Sequence, residues 1–158
     1  MGKNNLKSRK FVRILLNAKS VYCDSVIFSF HFHRHPTFSL LTSQLFELLD
    51  RKKITVITSC LSYMEILSLK DLENAPEKRL LIREFFLSQT NLQMNQVDAS
   101  LVEKAAYVRR TAGLKAVDAL QLATAELSLA KVFLTNDKDF RRISPKQFPI
   151  IFLDDYVS

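Results

Sequence analysis

Apolar positions fall in short blocks separated by longer stretches of helical spacing. Ser20 to Ser25 (SVYCDS) is an apolar run closing on an acid, which predicts a buried first strand. Leu41, Leu45, Leu48 and Leu49 recur at helical intervals, and Pro36 separates their helix from a shorter one before it. Ile54 to Thr58 (ITVIT) is β-branched throughout and predicts a second buried strand. Leu61 to Leu72 reads as helix, with Met64, Leu67 and Leu72 as its apolar positions. Pro76 opens a further helix through Leu87, where its missing N–H costs nothing. Leu92 to Val97 alternates like a strand, and Asp98 begins a helix that Gly113 stops. Val117 to Leu129 is helical, with Leu120, Ala123 and Leu127 as its predicted inward stripe and Gln121 at the rim of any site. Lys131 to Thr135 and Pro149 to Leu153 close the chain as strands.

Strands separated by helices need crossover connections, so the economical fold is α/β. It is a single domain with a small parallel sheet of four to five strands flanked by helices. Of the seven net positive charges, six lie in the first twenty residues: Lys3, Lys7, Arg9, Lys10, Arg13 and Lys19 are unaccompanied by any acid. Residues 1–19 thus read as a basic extension ahead of a domain over 20–158. That extension is an RNA-binding addition, a helix packed on the domain, or an extended start.

Composition removes several function classes. The chain has only two glycines in 158 residues, too few for a phosphate-cradling glycine loop once Gly2 is set aside. Two cysteines cannot build a disulfide framework and are read as reduced. No apolar run is long enough for a membrane span, so a soluble, cytoplasmic protein is expected.

In parallel sheets ligands sit beyond the carboxyl ends of the strands. Asp24 ends the first strand, and Glu65 lies early in the helix after the second. Asp118 opens the helix before the fourth strand, and Asp137 follows that strand in TNDKDF, with Asp139 two residues on. Converging carboxylates repel and select a hard cation, Mg²⁺ or Mn²⁺, which suits phosphodiester hydrolysis. Each acid also has a structural reading. Glu65 fits a capping box with Ser62, Asp118 complements a helix dipole, and Asp137 and Asp139 suit turns. Asp24, closing an apolar run, is the hardest to read that way.

The segments VYCDSVIF, YMEIL, LKAVDALQLATA and VFLTNDKDF resemble, in order, the four acidic motifs of PIN-domain ribonucleases, most closely VapC-type toxins of VapBC toxin–antitoxin systems. The resemblance implies a Mg²⁺- or Mn²⁺-dependent endoribonuclease, often homodimeric and often held inactive by a cognate antitoxin. Carried over by motif, Asp24, Glu65, Asp118 and Asp137 are the catalytic, metal-binding acids, with Asp139 in support. Ser25 and Thr135 are hydroxyl neighbours of the cluster. Val26 stands where the family commonly has Asn or Ser, which keeps open a catalytically weak PIN-like module that binds RNA or protein.

Lys138, Arg141 and Arg142 flank the last motif and are candidate RNA contacts. His31, His33 and His35 have the look of zinc ligands but lack a cysteine or third arm, and a solvated segment near the site is the expectation. Val26 also removes a haloacid-dehalogenase reading, which needs a second Asp there. A receiver domain would place its phosphate acceptor at Asp98, but its other acids would not fit.

Overall fold

The computed structural model describes residues 3–157. Met1 and Gly2 of the basic extension, the side chains of Lys3, Asn4 and Asn5, and Ser158 lie outside the described residues. Helix α1 spans Lys3–Ala18 and leads into β1 (Ser20–Cys23). Two helices, α2 (Ser25–Phe32) and α3 (Ser39–Asp50), separate it from β2 (Thr55–Ser59). Next come α4 (Cys60–Leu67), α5 (Pro76–Ser88) and β3 (Leu92–Asn95). The chain finishes with α6 (Ala99–Ala112), α7 (Ala116–Leu127), β4 (Val132–Thr135) and β5 (Ile150–Phe152). Short 3₁₀ turns occupy Lys70–Leu72, Lys138–Arg142 and Leu153–Tyr156.

All five strands are parallel, in the order β3-β2-β1-β4-β5. The α/β fold with a five-stranded parallel sheet is therefore as the sequence predicts. From central β1 the chain builds first toward β2 and β3, then returns to add β4 and β5 on the other side. That reversal leaves a crevice between β1 and β4 at the carboxyl end of the sheet, where doubly wound folds bind ligands.

Alternating side chains of β1 supply both faces. Val21 and Cys23 join Phe11, Leu15, Ile27, Phe28, Leu41 and Leu45 on one side. Tyr22 joins Ile57, Leu101, Val108, Leu122 and Phe133 on the other. Helix α1 is an integral part of the first layer. Phe11 and Leu15 are fully buried, the Ser8 hydroxyl donates to Gln44 Oε1 at 2.8 Å, and Phe11 packs on Tyr156 with ring centroids 5.4 Å apart. The basic start is thus a packed helix, the second of the three readings it left open.

Two helical faces differ from expectation. On α7 the buried residues are Ala119, Leu122, Ala123 and Ala125 together with Gln121 and Thr124, while Leu127 is exposed. Alanines face inward because α7 packs closely on α6 and the sheet, where larger side chains do not fit. The helix predicted over Leu61 to Leu72 ends at Leu67 and resumes as the 3₁₀ turn. Its inward residue is Ile66, with Met64 and Leu67 exposed. The capping box also fails: the N-cap is Ser59, which accepts from the Ser62 N–H, so Glu65 is released from that role.

The HFHRH histidines diverge. His31 is half-buried against Phe46 and Phe85, and burial pulls its pKa down. His33 pairs with Asp71 at 2.9 Å, and His35 packs on Phe30 and Phe38. The three rings serve three separate contacts.

Candidate active site

Asp24, Glu65, Asp118 and Asp137, drawn from four segments, line one cavity of about 270 Å³ at the β1–β4 crevice. Ser25, Val26, Val117, Gln121, Asn136 and Phe140 complete its wall. The acids span a gradient of burial, with Asp24 buried, Glu65 and Asp118 half-buried, and Asp137 exposed. Asp118 and Asp137, joined by Asp139 from outside the cavity lining, each present an oxygen, all within 4.8 Å of one another. Asp24 and Glu65 line the same cavity outside that tightest group.

Asp24 is the N-cap of α2. Its Oδ1 accepts from the Val26 N–H at 3.0 Å, and its Oδ2 accepts from the Thr135 hydroxyl. Thr135 Oγ1 in turn accepts from the Asp137 N–H at 3.0 Å, so one hydroxyl ties the acids of β1 and β4 together. Val26 thus supports Asp24 through its backbone, whatever its side chain. Ser25 begins α2 and lines the cavity without a hydrogen bond to the acids. Despite the two bonds to Asp24, burial pushes its pKa up to about 7, with Asp137 and Glu65 adding repulsion. Burial raises Asp118 as well, and Asp137 is its strongest charged neighbour pushing the same way.

Gln121 lies at the centre of the site's floor, deeper than the predicted rim. Its Oε1 accepts from Tyr22 and, at 3.2 Å, from Ser59. Its Nε2 donates to Ser62 Oγ at 3.0 Å and to Glu65 Oε2 at 3.2 Å. The buried amide therefore orients Glu65 from a fully bonded base. Periodicity placed it on a face with Asp118 and Leu122, and the polar Ser59 ending a β-branched strand was the available sign of its partner.

The flanking cations have distinct positions. Lys115, which sequence reasoning did not single out, pairs with Asp139 at 3.2 Å and is held above its ordinary pKa by that acid. Arg141 pairs with Asp155 and stacks over Phe152, while Arg142 donates to the Gly113 carbonyl at 3.0 Å. Lys138 is exposed beside the last motif. Asp98 caps α6 by accepting from the Leu101 N–H at 2.9 Å, an ordinary structural use.

The PIN domain family model matches residues 21–145. This chain belongs to the PIN domain family. Two solved structures share the architecture. One is a chain of VapBC2 from Rickettsia felis, bound to a DNA fragment from their promoter. It has 18% identity and a TM-score of 0.65, and covers 84% of this chain and 98% of its own. The other is a chain of a toxin–antitoxin complex from Klebsiella pneumoniae, with 19% identity and a TM-score of 0.63, covering 84% and 97%. No curated protein sequence matches the chain. Both alignments and the family model speak for the PIN fold, and α1 lies ahead of the matched residues of this PIN domain.

Proposed function

We propose that this PIN domain is a metal-dependent endoribonuclease and the toxin of a toxin–antitoxin pair. The observation that carries the reading is the gathering of Asp24, Glu65, Asp118 and Asp137 around one cavity. The donor set consists of carboxylate oxygens, with no thiol or imidazole, and suits Mg²⁺ or Mn²⁺. These four acids would hold the ion, with Asp139 supporting from the Asp118–Asp137 side. Bound there, the cation supplies Lewis-acid activation of water and neutralises charge on the phosphate.

The chain's own residues prepare that chemistry. Thr135 couples Asp24 to Asp137, and Gln121 fixes the direction of Glu65. Val117 and Phe140 give the cavity an apolar wall. Lys138, Arg141 and Arg142 provide positive charge for the RNA backbone at the cavity's flank. The likeness to toxin–antitoxin chains supports an antitoxin partner, and the same resemblance brings homodimerisation and a cytoplasmic setting into the reading. No helix among the described residues is long and apolar enough to cross a membrane.

Labelled RNA incubated with the purified protein and Mn²⁺ or Mg²⁺ is expected to be cut internally. EDTA is expected to stop cleavage and excess Mn²⁺ to restore it. Cleavage indifferent to EDTA overturns the mechanism, and RNA binding without cleavage under either ion replaces it with a binding module.

Gln121→Leu is expected to lower cleavage about 10- to 100-fold, because Glu65 loses the group that orients it. The same change removes a hydrogen-bond partner from each of the buried Tyr22, Ser59 and Ser62 hydroxyls, for a stability loss of about 1–3 kcal/mol. Single-turnover cleavage rates and urea denaturation report the two effects separately.

A further inference from the structure

Helix α1 lies outside the family match, and its two faces have opposite characters. Ser8, Phe11 and Leu15 are buried against α3, β1 and the C-terminal turn, so this face packs inside the molecule, while Leu6 stays exposed. Arg9, Lys10 and Arg13 are exposed on the opposite side, within about 100° of arc on a helical wheel. Among the described residues none of the three makes a salt bridge. The charge is therefore uncompensated where it stands.

The ends of α1 place this stripe. Near its start, Lys7 Nζ donates to the Val157 carbonyl at 2.5 Å, beside the turn Leu153–Tyr156. That turn is bonded to the cavity wall: the Asp154 N–H donates to Asn136 Oδ1 at 2.9 Å. The helix then runs back toward the start of β1. There Lys19, Lys53 and Lys131 sit at the beginnings of three adjacent strands, all exposed. The Lys19 carbonyl accepts from Thr55 and the Ser20 carbonyl from Lys131, which fixes them as neighbours. The cations thus run from the C-terminal turn, which is bonded to Asn136 of the cavity wall, to the opposite end of the sheet.

We infer that the outer face of α1 is a docking rail for the backbone of single-stranded RNA, leading it toward the acidic cavity. This rests on the RNA reading above and adds to it a surface remote from the carboxylates. Unpaired, exposed cations in a row attract a polyanion by releasing its counterions. With Phe11 and Leu15 buried, Leu6 is the one large apolar side chain that α1 exposes among the described residues, too little for insertion into a lipid surface.

The test uses a fluorescein-labelled, mixed-sequence single-stranded RNA in EDTA, with affinity read by anisotropy over a salt series. Replacing three phosphate-facing cations is expected to make the log–log salt slope of binding shallower by about 2. The triple variant Arg9→Gln, Lys10→Gln, Arg13→Gln should show that change and bind roughly 10-fold more weakly at low salt. A charge-matched control, Arg79→Gln, Arg83→Gln, Lys146→Gln, should stay within about 2-fold of the parent. Equal losses in both triples, no loss in the α1 triple, or wild type that binds anionic phospholipid vesicles but not RNA would each overturn the rail. Full affinity in the α1 triple together with metal-dependent cleavage removes the rail and leaves the nuclease. Weakened binding with no cleavage by wild type under any metal does the reverse.

Discussion

Asp24→Asn is expected to abolish metal-dependent RNA cleavage while making the metal-free protein more stable at neutral and alkaline pH. Asp24 is buried, and in the folded chain its pKa rises from 3.8 to about 7. A carboxyl raised in this way is bound by a proton more tightly in the folded than in the unfolded state. Its favourable contribution is complete below about pH 4, fades between pH 4 and 7, and is gone above. Each unit corresponds to about 1.4 kcal/mol, so the charged form burdens the apo fold by about 4 kcal/mol at pH 8. The neutral amide escapes that burden at the expense of a weaker bond to Thr135 or Val26. A net gain of about 2–3 kcal/mol at pH 8, vanishing near pH 4, is therefore expected in urea melts recorded in EDTA. Added Mn²⁺ should stabilise wild type and leave the variant unmoved. Cleavage should fall by more than about 100-fold, since the variant loses one of the four acids of the proposed metal site. A variant less stable than wild type at pH 8, or one that still cuts, contradicts the account.

Phe11→Ala is expected to destabilise the whole domain by about 3–5 kcal/mol. Phe11 is completely buried, shares a core with Leu15, Val21 and Leu45, and packs on Tyr156. Leu6, on the same helix but 74% exposed, provides the comparison, since Leu6→Ala should change stability by less than about 0.5 kcal/mol. Denaturation followed by circular dichroism should show one cooperative transition shifted in Phe11→Ala. A separate early loss of helical signal with an unshifted main transition would mean that α1 folds as an independent appendage.

The strands and the acidic crevice were legible because each rests on a local signal. ITVIT and KVFLT are short, β-branched or apolar runs, and each leads to acids of the cavity beyond its carboxyl end. Asp24 was legible for a further reason: an acid terminating an apolar run has few harmless places to go. What sequence could not give was depth on a helix whose inward face is made of alanines. On α7 the larger Leu127 drew the predicted stripe outward and left Gln121 at the rim, although the fold sinks its amide under Glu65. The fate of α1 was equally closed to local reading. Whether Phe11 and Leu15 bury depends on β1, α3 and Tyr156, which are separated along the chain by up to the whole domain. Lys115 escaped notice because its partner Asp139 lies on another segment.

The placement of β1 has a consequence for synthesis. Its neighbour β2 follows soon after, but its other neighbour, β4, is paired through Val21 with Val132 and arrives more than a hundred residues later. Pairing across so long an interval is entropically late. A nascent chain still on the ribosome with β4 unmade therefore has Asp24 and Glu65 but neither Asp137 nor the Thr135 hydroxyl that joins them. A translation product that stops short of β4 lacks the assembled crevice, so the four acids meet only after that strand has been made.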